Sequence, residues 1–405
     1  MIKSRIWYLC IYRFFWWIFK IWLPLKFNIK AKAKRINHTP YLVVSNHVCF
    51  WDPMLVALGL TRQMFFVSSE QVLRSGLKGK ALVVIMDPIP RAKSVTEIQT
   101  VIKMYSRIRQ GYNICIFPEG TITTDGETAQ IRNTTGKFIK KARCSLVTTR
   151  FTGGYLTYPR WARFKRRGVM KTEVVNVYPA EQIAAMSIEE INAIVSRDIY
   201  VNAFEDQKKN PIAFRGKNLA EWLETVLYFC PKCLEYSKLV SRDDRFFCEC
   251  GFHIRYTEYG FFEYPPEHAP SDKNEQPPFT TILEWSQWQS GKIKALAESL
   301  GNHDPNVPIF TDHNQDLYLV ERASRGILLG SGIFNMYPDK VTFVENSGKT
   351  TEIPFEHIND MAIFANRVLV FSTADKNLYE VRSELPTCVL KYMEMFRLLK
   401  GDFRF

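Results

Sequence analysis

A chain of 405 residues, 46% hydrophobic and 14% aromatic, carries more apolar material than one domain normally buries, so two or three domains are expected. Its formal charge of +13 is unevenly placed: residues 1–172 hold 30 Lys/Arg against 7 Asp/Glu (+23), whereas residues 173–405 hold 24 against 34 (−10). A uniformly basic protein is excluded, and any anion-seeking surface belongs to the N-terminal half.

The chain opens on an aromatic, cationic segment. Residues 6–12 and 14–19 are too apolar for an ordinary solvated helix, and Lys3, Arg5, Arg13 and Lys20 interrupt the run. On a helical wheel these cations fall within one half and leave the other to Trp, Phe, Ile and Leu, the pattern of a helix lying in a membrane interface. A transmembrane span ranks second, because Arg13 near the bilayer centre costs about 2.5–3.5 kcal/mol. A cleaved signal peptide ranks third, since charge breaks the apolar stretch. A buried aromatic core helix is the remaining reading. Residues 1–37 are assigned to this helix and a basic tail; residues 1–40 hold nine Lys/Arg and no acid, and residues 128–172 hold twelve and no acid. Such patches suit a dense array of phosphates, in lipid or in nucleic acid.

From 38 to about 205 short apolar runs alternate with helical stretches. Residues 41–44, 81–86, 113–117, 145–150 and 173–178 read as strands, with helices expected at 53–60 and 95–110. The fold class is therefore α/β with a mainly parallel sheet and flanking helices, and ligands are expected beyond the carboxyl ends of the strands. Directly after the first strand stand Ser45-Asn46-His47 and then Asp52-Pro53. A continuous helix sets side chains five apart on different faces, so His47 and Asp52 meet only across a turn or a helix start. Asp before Pro is itself an N-cap and first-turn pair. Removing a proton from a hydroxyl requires a base, and an imidazole backed by a carboxylate suits that task. The second element, Phe117-Pro118-Glu119-Gly120-Thr121, stands where another strand ends; alone it reads as a turn.

A helix is expected over 214–229, leading into Cys230, Cys233, Cys248 and Cys250, spaced C-x2-C-x14-C-x-C. Four thiolates so clustered read as a zinc ribbon over 230–263, with His253 able to replace one cysteine in the tight final pair. Disulfides are the alternative, disfavoured without a secretion signal. Cys10, Cys49, Cys115, Cys144 and Cys388 sit in apolar surroundings and read as core residues. Residues 264–278 are polar and proline-rich, a mobile or extended linker. Beyond it, residues 316–321, 326–336, 340–344, 351–354, 360–364, 367–372 and 378–381 alternate as short strands, and 386–400 closes the chain as an amphipathic helix. This C-terminal β-meander domain, 279–405, resembles the pleckstrin-homology superfold.

Taken together, Asn46-His47 with Asp52, and Phe117-Pro118-Glu119-Gly120-Thr121, resemble the glycerolipid acyltransferases of the lysophosphatidic acid acyltransferase family. Pro88-Ile89-Pro90-Arg91 resembles that family's arginine-bearing block, without its usual glycine and aromatic residues. Thr152-Gly153-Gly154-Tyr155 with Pro159-Arg160-Trp161 stands at the fourth block without the usual Val-Pro pair, and Ile122 stands where arginine is common. The resemblance runs over roughly 38–205, within an acyltransferase domain placed at 38–229. It implies that His47 deprotonates the acceptor hydroxyl, that Asp52 orients it, and that the donor is acyl-CoA or acyl carrier protein. The acceptor would be a lysophospholipid, foremost 1-acyl-glycerol-3-phosphate. Arg91 would grip its phosphate, while Glu119, Gly120 and Thr121 would shape and bind the acceptor site. The chemistry itself requires no metal or redox cofactor; zinc is expected as a structural ion. An anionic membrane surface at the cytoplasmic face is the expected location. Two rivals remain: a non-catalytic lipid-binding adaptor, and a zinc-ribbon nucleic-acid-binding protein, disfavoured because the ribbon is not itself basic.

Overall fold

The structure is a computed structural model that describes residues 5–69, 73, 79, 83, 86–91, 98–272, 275–320, 326–364, 367–375 and 377–401. The N-terminal unit follows the order α1 (Arg5–Phe27), β1 (Ile29–Ala31), β2 (Tyr41–Ser45), α2 (Asp52–Gly59), β3 (Met64–Ser69), β4 (Ile89–Arg91), α3 (Ile98–Arg109), β5 (Asn113–Ile116), α4 (Thr134–Ala142), β6 (Ser145–Thr152), α5 (Gly154–Thr157), β7 (Met170–Tyr178), α6 (Ala180–Ala185), α7 (Ile188–Ile199) and α8 (Ala203–Lys209). Its seven strands lie in the order β1-β7-β6-β2-β5-β3-β4. Strands β2 to β6 are mutually parallel, and β7 runs antiparallel to β6, so the sheet is the largely parallel one expected.

Both faces of this sheet are covered, which is why β2 is apolar at nearly every position. Tyr41 and Val43 point into a core shared with α1 and α2, while Leu42 and Val44 point into one shared with α3, α4 and α7. The strand expected over 81–86 falls mostly outside the described residues, and the two described there, Val83 and Met86, are helical. The neighbours that complete the sheet are instead β3 and β4. Short apolar runs do not distinguish a strand from a buried helical turn; pairing decides.

Helix α1 carries apolar residues on two sides rather than on one. Tyr12, Leu23 and Phe27 are buried against the sheet unit, and the Trp16 indole donates to the Ala57 carbonyl at 2.8 Å. The opposite side, Phe14, Trp17, Ile18, Ile21 and Leu25, is exposed and apolar. Arg13 and Lys20 flank it on one edge and Lys26 on the other; Lys26 lies 4.0 Å over the Trp22 ring. Lys3 lies outside the described residues. Cys10, read as a core residue, is exposed on this helix, whereas Cys49, Cys115, Cys144 and Cys388 are buried. Among the described residues no helix is long and apolar enough to cross a membrane.

The helix expected over 214–229 is absent apart from a 3-10 turn at Leu223–Thr225. Asn218 and Trp222 adopt left-handed backbone (φ 51° and 76°), and the polar groups of the segment are claimed from elsewhere. The Gln289 side chain donates to the Val226 carbonyl at 2.7 Å and accepts from the Tyr228 amide at 3.1 Å. Ala220 N–H donates to the Asp243 carbonyl at 2.8 Å. Tertiary partners outweigh a helical apolar spacing here.

A small antiparallel sheet follows, ordered β11-β10-β9-β8 from β8 (Leu239–Arg242), β9 (Arg245–Cys248), β10 (Phe252–Tyr256) and β11 (Phe262–Glu263). The proline-rich stretch after it is largely exposed, but Pro265 and Pro277 are buried and the His268 ring stacks on that of His253 at 4.1 Å. Helix α9 (Ile282–Ser299) begins with a Thr281/Glu284 capping box and had no sequence-based expectation. The last unit contains β12 (Phe310–Leu319), β13 (Ile327–Met336), β14 (Lys340–Glu345), β15 (Thr350–Pro354), β16 (Ile358–Phe364), β17 (Val368–Thr373), β18 (Leu378–Ser383) and α10 (Leu390–Leu399). Its strands form an antiparallel meander ordered β15-β14-β13-β12-β18-β17-β16, closed by the expected helix. Strand β12 starts earlier than its alternation indicates, because a bulge with Asn314 at φ 56° breaks the pattern between Asp312 and Gln315.

One core runs through the middle of the molecule, from Tyr155 and Trp161 through Cys230 and Trp285 to Phe343 and Phe396. Polar ties cross it. The Tyr228 hydroxyl donates to Glu394 at 2.6 Å, and Lys391, fully buried, donates to Asp312 and to Ser237 at 2.8 Å each.

Candidate active site and cysteine cluster

Strands β2 and β5 are parallel neighbours, so the loops that leave their carboxyl ends emerge side by side. The β2 loop is fixed first by Asn46, whose amide donates to the Phe151 carbonyl at 3.0 Å and whose oxygen accepts from the Phe151 amide at 2.8 Å, imitating a strand pairing. His47 follows, half-exposed. Its Nδ1 lies 2.7 Å from Oδ2 of Asp52, which is fully buried. The same Oδ2 accepts from the amides of Val48 (2.6 Å) and Cys49 (2.9 Å), and Oδ1 accepts from the Cys49 thiol at 3.2 Å.

Asp52 is therefore not the N-cap of α2. Trp51 occupies that position without a side-chain cap, and the Asp52 carboxylate reaches backwards to hold the 47–52 loop. An ionised carboxylate only accepts, so the proton of the imidazole sits on Nδ1 and leaves Nε2 with its lone pair. Among the described residues no protein group is bonded to Nε2.

The β5 loop closes on the histidine from the other side. The Phe117 ring stacks on His47 at 4.3 Å with an interplanar angle of 19°. Glu119 accepts from the His47 amide at 2.6 Å and from the Ala129 amide at 2.9 Å, so both of its oxygens are engaged in holding backbone. Burial pushes its carboxyl up to about 8, against the two amide bonds that favour the charged form. Thr123 N–H donates to the His47 carbonyl at 3.0 Å.

Gly120 turns the chain at φ 76°, and its amide is spent on the Phe117 carbonyl at 3.1 Å rather than aimed outward. A Cβ there would lie 3.6 Å from Nη1 of Arg91, so the arginine of β4 converges on the same loop. The Thr121 hydroxyl accepts from Arg160 at 2.7 Å. The fourth block also converges, since a Cβ on Gly154 would fall 2.5 Å from Val48. All six sequence-selected residues, His47, Asp52, Arg91, Glu119, Gly120 and Thr121, thus lie about one end of the sheet. Sequence reasoning gave no role to Asn46, Phe117, Cys49 or Arg160. Asn46 and Phe117 stand within the motifs and Cys49 between His47 and Asp52, while Arg160 was noted only as part of the fourth block, without a function of its own.

The second site lies in the small sheet. Cys230 and Cys233 share a turn closed by Leu234 N–H to the Cys230 carbonyl, while Cys248 ends β9 and Cys250 precedes Gly251 at φ 84°. The sulfurs of Cys230 and Cys250 are 3.6 Å apart, those of Cys233 and Cys248 3.8 Å, and all four lie within 4.8 Å of one another. A tetrahedral ion with bonds of about 2.3 Å sets its sulfurs about 3.8 Å apart. The four cysteines can therefore hold a metal ion. His253 is not among them; its ring is stacked between Phe247 and His268.

Residues 26–152 match the model of the Acyltransferase family, so the chain carries an acyltransferase domain and the motif-level resemblance holds over that segment. Among solved structures the chain is similar to the 1-acyl-sn-glycerophosphate (LPA) acyltransferase PlsC of Thermotoga maritima, at 17% identity and a TM-score of 0.39, over 49% of this chain and 78% of that one. It is also similar to the C-terminal domain of an unknown protein from Leishmania infantum, at 10% identity and a TM-score of 0.17, over 27% of this chain and 94% of that one.

Proposed function

We propose that this acyltransferase domain moves a fatty acyl group from acyl-CoA or acyl carrier protein to a hydroxyl of a lysophospholipid, with 1-acyl-glycerol-3-phosphate as the preferred acceptor. The observation that carries this reading is the 2.7 Å contact between His47 Nδ1 and buried Asp52, which leaves Nε2 as a base. Nε2 takes the acceptor hydroxyl proton as its oxygen attacks the thioester carbonyl. The tetrahedral intermediate then collapses, the carbon–sulfur bond breaks, and the leaving thiolate recovers the proton from the imidazolium. Asp52 stabilises that imidazolium and fixes the ring. Arg91, beside Gly120, meets the acceptor phosphate. The exposed apolar side of α1, edged by cations, supports residence on the cytoplasmic face of an anionic membrane. The four-cysteine cluster fits zinc in a structural role, and the meander closed by α10 fits a pleckstrin-homology-like module.

The test is to incubate purified protein with radiolabelled acyl-CoA, or acyl carrier protein, and a panel of lysolipids. Diacyl product is expected, most rapidly from the phosphate-bearing acceptor. Absence of product from every donor and acceptor pair overturns the reading.

A further inference from the structure

We infer that Arg160 is a positioning residue through which the C-terminal β unit sets the geometry of the catalytic loop; the inference rests on the acyl-transfer reading for its kinetic part. The Arg160 guanidinium bridges two regions far apart in sequence. Nη1 donates to the Thr121 hydroxyl at 2.7 Å and lies 3.4 Å from the Ile122 carbonyl, while Nη2 donates to the Ile363 carbonyl at 3.1 Å. Ile363 is on β16, which stands last in the strand order of its sheet, beside β17.

The bridge reaches the base in few steps. Thr121 and Ile122 lie between Glu119 and Thr123, the two residues that grip the His47 amide and carbonyl. Gly120, which turns the chain between Glu119 and Thr121, is the residue on which Arg91 converges. A shift of β16 is therefore transmitted by a planar, two-ended donor to the loop that holds both the base and the phosphate-facing arginine. Its fork suits the task, because two acceptors on different units require donors at fixed separation. Lysine keeps the charge but not the separation. Arg160 is half-buried, and desolvation pulls its guanidinium down to about 10.

The experiment is a double-mutant cycle on the full chain with Arg160→Ala, Thr121→Val and their combination, plus Arg160→Lys. Displacing reacting groups by about 1 Å costs about 10²-fold. We expect Arg160→Ala to lower kcat/KM by about ten- to hundredfold, Thr121→Val to lower the same parameter, and the double variant to be no worse than the worse single one. Arg160→Lys should recover only part of the loss, and guanidinium ion added to Arg160→Ala should restore some turnover. Amide hydrogen exchange over residues 119–124 supplies a readout independent of catalysis, and should speed up in Arg160→Ala while exchange in β2 does not. Wild-type turnover by Arg160→Ala, strictly additive losses, or unchanged exchange would overturn the inference. If Arg160→Ala fails to fold, Arg160→Lys and Thr121→Val decide by the same cycle. If the wild-type chain transfers no acyl group, the functional reading fails by itself and the exchange data still decide the bridge.

Discussion

The His47 loop and the cysteine cluster are both turns packed beside strands, and they dispose of their polar groups in opposite ways. At the first, both oxygens of Asp52 are engaged by the protein, while among the described residues one nitrogen of His47 stays uncommitted. At the second, four sulfurs converge on one another, Cys230 and Cys248 buried and Cys233 and Cys250 half-buried. A group that acts on a substrate must be held by its neighbours and still be incomplete; a group that holds a fold must be complete. Loss of the first should thus cost rate without stability, and loss of the second stability above all.

The largest effect is expected from Cys230→Ser with Cys233→Ser. Structural zinc sites contribute about 10–16 kcal/mol in small peptides, and here the cluster lies in the core common to both flanking units. Elemental analysis should fall from one metal ion per chain to none, with the thermal transition broadened or lost. Unchanged metal content would break the comparison on that side.

His47→Ala should lower turnover by about 10²–10⁴-fold and leave the urea midpoint near that of the wild type, since the ring is partly exposed and its backbone clamps remain. Near-normal turnover would end the proposed mechanism. Asp52→Asn should combine both signatures. Asn offers one acceptor and an amino group where a thiol and two amides now point, so about 1–3 kcal/mol of stability should go with part of the activity. A fully active but unstable Asp52→Asn would reduce Asp52 to a loop staple.

On the surface, Trp17→Glu with Ile21→Glu should weaken sedimentation with anionic vesicles by about tenfold or more without unfolding the chain. Deleting α1 outright is a poorer test, because Tyr12, Leu23 and Phe27 are core residues. Binding undiminished by the double substitution would move the anchor elsewhere.

The smallest effect is a slope. With its folded value raised to about 8 from an ordinary 4.5, Glu119 keeps a proton that the unfolded chain has released, so stability falls as pH rises through that window. Glu224 and Glu394, raised by burial to about 7, add the same sign at lower pH. Glu119→Gln should therefore flatten the decline from about pH 5 to 8 in denaturant titrations, most visibly above pH 7, where Glu224 and Glu394 no longer contribute. An unaltered slope there would show that Glu119 does not carry it.

Much of this was legible where a local pattern and its long-range partner agree. The parallel sheet followed from buried apolar runs, and the meander from alternation and turns. Cysteine spacing alone marked the cluster. What was not legible depends on partners brought from afar. Residues 214–229 have helical spacing, but Gln289 and Asp243 take their backbone groups. Asp52-Pro53 has the composition of a cap, yet the carboxylate turns back to Val48 and Cys49. The aromatic run of α1 reads as one face and serves two, since only the sheet unit distinguishes docked Leu23 from exposed Ile21. Arg160 stands in the fourth block, but its bridging was not legible because its acceptors, Thr121 and Ile363, belong to distant segments.

Tyr228 and Ser237 find their partners on α10, which leaves the ribosome after every element it completes. The parallel sheet can assemble while translation continues, but the middle of the molecule must wait, with Trp285, Phe246 and the cysteines exposed to whatever binds nascent chains. A message interrupted upstream of codon 390 would accordingly yield no shorter enzyme. It would yield a folded sheet trailing a segment with its apolar side chains uncovered, and hence a client for proteases and holdases.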